Sequence, residues 1–187
     1  MAKEIERKFL VRTDTWRQHV SKSSSFQQGY ILSGADRSVR IRIRDRADAL
    51  LTIKIGHVGL SRDEFEYEIP LADGLEMIDK AQGNVIEKTR YNVEYGGYLW
   101  EVDVFAGAHA GLVVAEVELE NDCEDPPLPP WVGREVTGDG RYSNQWLATS
   151  TPQTERRNGL SLKACPEDRH RHCRDAGRAF AGCRSRS

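Results

Sequence analysis

Residues 38–44 read Ser38-Val39-Arg40-Ile41-Arg42-Ile43-Arg44, and this strict alternation of apolar and cationic side chains decides the class of fold. Successive side chains of a β-strand point to opposite faces, so a period of two puts Val39, Ile41 and Ile43 on one face and the three arginines on the other. The same period recurs along the chain. Glu4, Glu6 and Lys8 share a face against Ile5 and Phe9, and Thr52 and Lys54 alternate with Leu51, Ile53 and Ile55. Glu64, Glu66 and Glu68 alternate with Phe65, Tyr67 and Ile69; Lys88, Arg90 and Asn92 are set against Tyr91 and Val93; Glu116, Glu118 and Glu120 alternate with Ala115, Val117 and Leu119.

Strands are therefore expected at Glu4–Val11, Phe26–Leu32, Ser38–Asp45, Leu50–Ile55, Glu64–Ile69, Val85–Tyr95, Tyr98–Phe105 and Leu112–Glu120. Eight strands of this length can close a barrel, and glycines at Gly56–Gly59 and Gly96-Gly97 mark turns, the second a hairpin. The expected fold is mainly β with some α: an eight-stranded antiparallel closed β-barrel forming a charged tunnel, with a few flanking helices. One helix is expected at Asp14–Val20, capped by Asp14. A second is expected at Asp73–Lys80, with Leu75, Ile78 and Met77 turned to the barrel. Asp125–Pro130 breaks regular structure, Trp131–Thr137 resumes packing against the barrel, and Arg141–Ala148 reads as a short closing helix.

A chain of 187 residues suits one domain. Its charged fraction of 30% exceeds the roughly 25% of an average domain, so the extra charges need a role. No apolar run is long enough to span a membrane and the first residues resemble no signal peptide, so a cytoplasmic protein without a membrane partner is expected. Cys123, Cys165, Cys173 and Cys183 contain no CxxC pair, and structural disulfides are not expected. Residues 151–187 carry nine Lys/Arg against four Asp/Glu, leaving 18 of the 27 basic and 25 of the 29 acidic residues before them. This basic end has almost no aromatic residues and no apolar periodicity, so it reads as a disordered tail rather than a nucleic-acid arm. The expected division is a folded domain over 1–150 and a tail over 151–187. His170-Arg171-His172-Cys173 lacks a second ligand pair at zinc-like spacing, His57 and His109 fall in expected turns, and the four tryptophans are too dispersed for a base-stacking platform.

Any one strand with a charged face is ordinarily half solvated. Six such strands together are a different matter, because three arginines in a row beside the basic faces of Lys54 and of Lys88 and Arg90 would repel one another in a sheet. If the apolar faces turn outward onto the helices, the charges line the inside. That lumen must hold water, ions or a charged ligand, since unpaired charges in a dry interior are prohibitively costly. Carboxylates suit a hard divalent cation such as Mg²⁺, and Arg and Lys suit phosphate oxygens. Together they describe a metal-phosphate site.

These residues resemble a known family. Glu4-Ile5-Glu6-Arg7-Lys8 is similar to the ExExK signature of the CYTH proteins, also called triphosphate tunnel metalloenzymes. The likeness extends through Val39–Arg42, Thr52–Lys54, Glu64–Glu68, Lys88–Tyr91, Ala115–Leu119 and Gly133–Thr137, covering residues 3–148 in order and spacing. It implies an antiparallel tunnel, Mg²⁺ or Mn²⁺ as cofactor, and a small substrate carrying a triphosphate. The short bacterial members look like tripolyphosphatases, which implies hydrolysis of inorganic tripolyphosphate to pyrophosphate and phosphate. Other members are similar to thiamine or RNA triphosphatases or to adenylate cyclases.

On that reading Glu4 and Glu6 on the first strand and Glu116 and Glu118 on the last meet where the barrel closes and hold one metal ion. Lys8, Arg40, Arg42, Lys54, Lys88 and Arg90 then bind phosphate oxygens and stabilise charge in phosphoryl transfer, with Arg134 joining them. A second metal on Glu64 and Glu66 would activate water. Tyr30, on the Gln28/Tyr30 face, has a phenol of unperturbed pKa about 10. Neighbouring cations would lower it toward a base, although a hydrogen-bonding wall residue is an equal reading. Tyr30 and Lys8 are the catalytic candidates.

The alternatives are a class IV-type adenylate cyclase, a thiamine or nucleoside triphosphatase, and a non-catalytic polyphosphate-binding module. The first needs an adenine pocket that no segment supplies. The last gains nothing from repelling glutamates unless a metal intervenes. No nucleic-acid partner is expected, and a homodimer is left open.

Overall fold

The computed structural model describes residues 5–56, 63–121 and 123–149. The alternating segments form strands β1 (Ile5–Val11), β2 (Val20–Ser33), β3 (Arg37–Arg44), β4 (Asp48–Ile55), β5 (Asp63–Ile69), β6 (Gln82–Tyr95), β7 (Tyr98–Phe105) and β8 (Val113–Leu119), followed by β9 (Val132–Glu135). Helix α1 spans Leu71–Ile78 and α2 spans Asn144–Thr149, with 3₁₀ turns at Thr15–His19, Gly107–His109 and Gly140–Tyr142. All the ladders are antiparallel. Gly96 and Gly97 both adopt positive φ, at 62° and 83°, which is the backbone a tight β6–β7 hairpin requires.

The strands form one nine-stranded sheet in the order β5-β4-β3-β2-β6-β7-β8-β1-β9. The mainly β, antiparallel expectation holds, but closure does not. The sheet ends at β5 and β9, and no ladder joins them among the described residues. The reason lies after β8, where the chain passes its prolines and lays β9 along the free edge of β1, pairing Val11 with Val132. That backbone edge is then spent. β1 and β8 do meet, as neighbours inside the sheet rather than at a seam.

Three apolar clusters pack on the outside of the curved sheet. The largest joins Phe9, Val93, Trp100, Val102, Ala115 and Val117 to Trp16 and Trp131. A second gathers Ile86, Phe105, Val114 and Tyr142 under Leu147 and Ala148 of α2. The third puts Ile78 of α1 on Ile41, Ile43 and Ala49. His109 is buried and its Nε2–H donates to the Leu147 carbonyl at 2.8 Å, tying the 107–109 turn to α2. No helix among the described residues is long and apolar enough to cross a membrane.

Two local expectations fail. Asp14 makes no side-chain cap hydrogen bond and the segment winds as a 3₁₀ turn. What anchors it is Trp16, fully buried against Tyr91 with ring centroids 5.1 Å apart. Helix α1 starts directly after Pro70, and Leu75 and Met77 lie exposed while Gly74 and Ile78 face the sheet. Gly74 sets that rotation: a Cβ there would stand 2.6 Å from the Ala49 Cβ, so only a bare Cα lets the helix approach. Glu4, His57 and the rest of the turn after Gly56, the His170–Cys173 cluster and the whole of residues 151–187 lie outside the described residues.

Overpacking of this kind costs typically about 1–3 kcal/mol. Gly74→Val is expected to lower stability by that amount in urea denaturation, and Ala49→Gly in the same chain is expected to recover part of the loss. Equal midpoints for Gly74→Val and wild type would refute the account of α1.

Candidate active site

The inward faces of seven strands meet around one cavity of about 270 Å³. Its wall takes Glu6 and Lys8 from β1, Tyr30 from β2, Ser38, Arg40 and Arg42 from β3, Lys54 from β4, Arg90 from β6, Glu101 from β7 and Glu116 and Glu118 from β8. Ser143, Asn144 and Gln145, at the start of α2, close one side. Gln145 Nε2 donates to Ser33 Oγ at 3.0 Å and to the Gly34 carbonyl at 3.1 Å, fixing that cover to the end of β2. On these seven strands the cavity thus takes its charged lining from one phase of the alternation.

Carboxylates dominate the β1–β8 side. Glu6 and Glu118 are direct cross-strand partners, as are Lys8 and Glu116. Lys8 Nζ lies 2.8 Å from Glu116 Oε1 and 3.4 Å from Glu6 Oε1. Burial works against the Lys8 charge, but Glu116 and Glu6 outweigh it and raise its pKa. Glu116 is held below the usual carboxylate range: burial and Asp103 push it up, and Lys88, Lys8 and Arg90 together prevail. Like charges placed opposite one another destabilise a ladder, so Glu6 facing Glu118 calls for a cation. Among the described residues no three His, Cys, Asp or Glu side chains already converge as a ligand set. The donors themselves are all oxygens on one wall, the chemistry of a hard divalent cation, and Glu6, Glu116 and Glu118 fit it.

Cations dominate the β3–β6 side. Arg90 is gripped by Asp103 at Nε (2.7 Å) and by Glu116 at Nη2 (2.8 Å), with Glu101 on Nη1. Burial opposes its charge, but Asp103, Glu116 and Glu101 raise its pKa well above the ordinary value. Arg42 differs. Burial, then Arg40 and Arg90, pull its guanidinium down to about 10. Its hydrogen bond goes to Gln28 Oε1 at 3.4 Å, and among the described residues no carboxylate pairs with it. Arg40 donates to Thr52 at 3.1 Å, has Glu66 and Glu64 at 3.7 and 3.9 Å, and keeps a buried Nε with no acceptor. Arg42 and the Arg40 Nε thus lie without a close acid among the described residues.

Not every expected residue reaches the cavity. Lys88 is buried against Asp103 beside the Phe105 ring and lies outside the lining. Burial drives its pKa down, and Asp103 only partly offsets this. Arg134 is exposed on β9, with its guanidinium donating to the Tyr142 hydroxyl at 3.0 Å, outside the cavity wall. Glu64 and Glu66, on the edge strand β5, are engaged by Lys54 Nζ at 2.8 Å and Thr52 Oγ1 at 3.0 Å. They too stand outside the lining. Tyr30 is inside it, nearly buried, and its hydroxyl accepts from Gln28 Nε2 at 3.4 Å.

Two acidic residues were missed. Asp103 is fully buried, and Lys88 and Arg90 hold its pKa down against burial. Glu101 lines the cavity with its pKa raised by burial, which outweighs Arg90. The signal was present in Trp100-Glu101-Val102-Asp103-Val104, which alternates as cleanly as the strands that were read.

The CYTH domain model matches residues 2–144. The inorganic triphosphatase of Acetivibrio thermocellus is 44% identical over 149 residues, covering 79% of this chain and 94% of that protein. The inorganic triphosphatase of Nitrosomonas europaea is 39% identical over 153 residues, covering 80% and 99%. The crystal structure of the inorganic triphosphatase NE1496 superposes with a TM-score of 0.63 at 34% identity, covering 81% of this chain and 98% of that one. A charged cavity built on the alternating faces of an antiparallel sheet, a domain match over most of the chain and relatives of this similarity lead to one conclusion: the chain belongs to the CYTH domain family.

Proposed function

We propose that this chain is a metal-dependent hydrolase that splits inorganic tripolyphosphate into pyrophosphate and phosphate. The observation that carries the reading is the uncompensated charge of Arg42 and of the Arg40 Nε, set across one cavity from the opposed pair Glu6 and Glu118. A short polyanion with a divalent cation satisfies both walls at once. Among the described residues Tyr30 is the only aromatic one in the lining, whose other groups are charged or polar, a composition that favours phosphate oxygens over an organic ring. The two relatives compared above are both named inorganic triphosphatases, which supports the same choice.

Membership of the family implies a divalent metal. Mg²⁺, or Mn²⁺ in its place, would be held by Glu6, Glu116 and Glu118 together with Glu4. When bound, such an ion neutralises and orients phosphate oxygens. The chain's own groups do the rest. Arg40, Arg42, Lys54 and Arg90 bind phosphate oxygens from the opposite wall, Arg in bidentate fashion. Lys8, held at the cavity wall by Glu116 and Glu6, would turn its ammonium to the charge that grows on the bridging oxygen. Tyr30 accepts a hydrogen bond from the attacking water and aims it at the terminal phosphorus. A phosphorus–oxygen bond to water forms and the bridging bond breaks; the water's proton passes to the Tyr30 oxygen as the phenol gives its own to a phosphate oxygen, and pyrophosphate leaves with the bridging electron pair.

A panel of tripolyphosphate, ATP and thiamine triphosphate with Mg²⁺ is expected to release phosphate fastest from tripolyphosphate and none in excess chelator. Cyclic AMP from ATP without phosphate release would instead establish a cyclase. Glu6→Gln with Glu118→Gln is expected to lower Mg²⁺-dependent turnover by about a hundred-fold or more while circular dichroism stays unchanged; undiminished turnover would rule out the metal wall. Tyr30→Phe is expected to lower kcat by about a hundred-fold, the lower range for a group handling the proton, with KM nearly constant. A kcat equal to wild type would reduce Tyr30 to part of the wall.

A further inference from the structure

Phe26 lies on β2, the strand between β3 and β6. Its direct partners are Arg44 on β3 and Lys88 on β6. The next residues on the same inward faces are Arg42 on β3 and Arg90 on β6, within diagonal reach of an aromatic side chain. Both guanidiniums lie over the Phe26 ring, their central carbons 5.7 and 6.0 Å from its centroid. Phe26 also lines a neighbouring cavity of about 360 Å³, whereas Arg42 and Arg90 line the first. The ring stands beside the cationic wall, where the two cavities adjoin.

That position answers an electrostatic difficulty. Arg42 and Arg90 are like charges that repel across the cavity wall, and Arg90 is among the groups that disfavour the Arg42 charge. Carboxylates compensate Arg90, whereas Arg42 has only Gln28 and this ring among the described residues. The face of an aromatic ring attracts cations through its quadrupole. Unlike a carboxylate, it supplies no oxygen to occupy the N–H edge of a guanidinium, which therefore stays available for phosphate.

We propose that Phe26 is a positioning residue of the anion site, whose ring holds Arg42 and Arg90, one from each flanking strand, so that both present N–H groups to a single triphosphate. This rests on the reading of the cavity as a triphosphate site. Phe26→Leu keeps an apolar side chain of similar bulk and removes the ring, whereas Phe26→Tyr keeps the ring. Simple packing would tolerate the first.

Two measurements on the full chain separate the cases. The first is the NMR shift of the Arg42 and Arg90 Nε–H protons, assigned with Arg42→Lys and Arg90→Lys. Ring-current shifts are expected in wild type and Phe26→Tyr and absent in Phe26→Leu. The second is calorimetric binding of the imido-bridged analogue of tripolyphosphate with Mg²⁺, alongside KM and kcat for tripolyphosphate itself. Phe26→Leu is expected to bind roughly ten-fold more weakly, in line with two partly desolvated cation–π contacts. Its KM should rise by a similar factor while kcat changes little, and Phe26→Tyr should match wild type. Wild-type affinity in Phe26→Leu, or equal weakening in both variants, overturns the proposal, as does a free protein without the ring-current shifts. A wild type that shows the shifts but binds no triphosphate sinks the substrate reading alone and leaves the ring's hold on the two arginines established.

Discussion

The rest of the structure depends on Asp103 staying ionised where no water reaches it. It is fully buried on β7, with Lys88 and Arg90 both from β6 on its oxygens. Removing one partner of such a buried group leaves an uncompensated charge and costs about 3–5 kcal/mol, so the cluster fixes how β6 sits on β7. The influence runs further. Arg90 passes from Asp103 to Glu116 on β8, and Glu116 passes to Lys8 on β1. One chain of alternating charges therefore crosses four neighbouring strands, in the direction in which the backbone ladders also run.

A charged interior forces the apolar faces outward, and they must then be covered from outside. Trp16 and Trp131 cover β6, β7, β8 and β1; α1 covers β3 and β4; α2 covers the end near Ile86 and Val114. The cover stops at the edge strand, where Phe65 and Tyr67 of β5 remain about half exposed. The small residues at the contacts follow from the same geometry. Gly29 stands where a Cβ would come 2.6 Å from the Ala81 Cβ, as Gly74 does against Ala49, because helices and turns must press close to a sheet whose other side is occupied.

The strands and the phase of their charges were legible because alternation is a local property of the sequence. Arg40, Arg42 and Lys54 reach the cavity for that reason alone. What failed depended on partners distant in the chain. Leu75 and Met77 are large apolar residues that the sequence offers for the inner face of α1, but the close approach to Ala49 selects the face that carries Gly74 and Ile78. A four-residue strand at Val132–Glu135 is too short to show a period, and its pairing with β1 is what leaves the sheet open. Lys88 has the right phase for the cavity and is withdrawn from it by Asp103, an acid on another strand. Charge phase places a side chain on a face, and the opposing charges then decide how far into the lumen it extends.

That second step divides the cations of the cavity into two kinds. Arg90 and Lys8 have carboxylates at hydrogen-bonding distance, and their charged states are favoured in the free protein. An arriving phosphate would compete with those carboxylates, so such groups gain little from it unless a metal first takes the acids. Arg42 and Arg40 lack close compensation, and the Arg42 charge is already disfavoured by its surroundings. A ligand shifts an equilibrium only by its differential interaction with the two states, and the largest differential available here is at these two arginines on β3. The paired cations set the shape of the cavity, and on the proposed reading the unpaired ones would supply its affinity for anions. Arginine suits the second task because it stays protonated even when burial lowers its pKa to about 10, where a lysine displaced by the same amount would start to lose its proton at roughly pH 8.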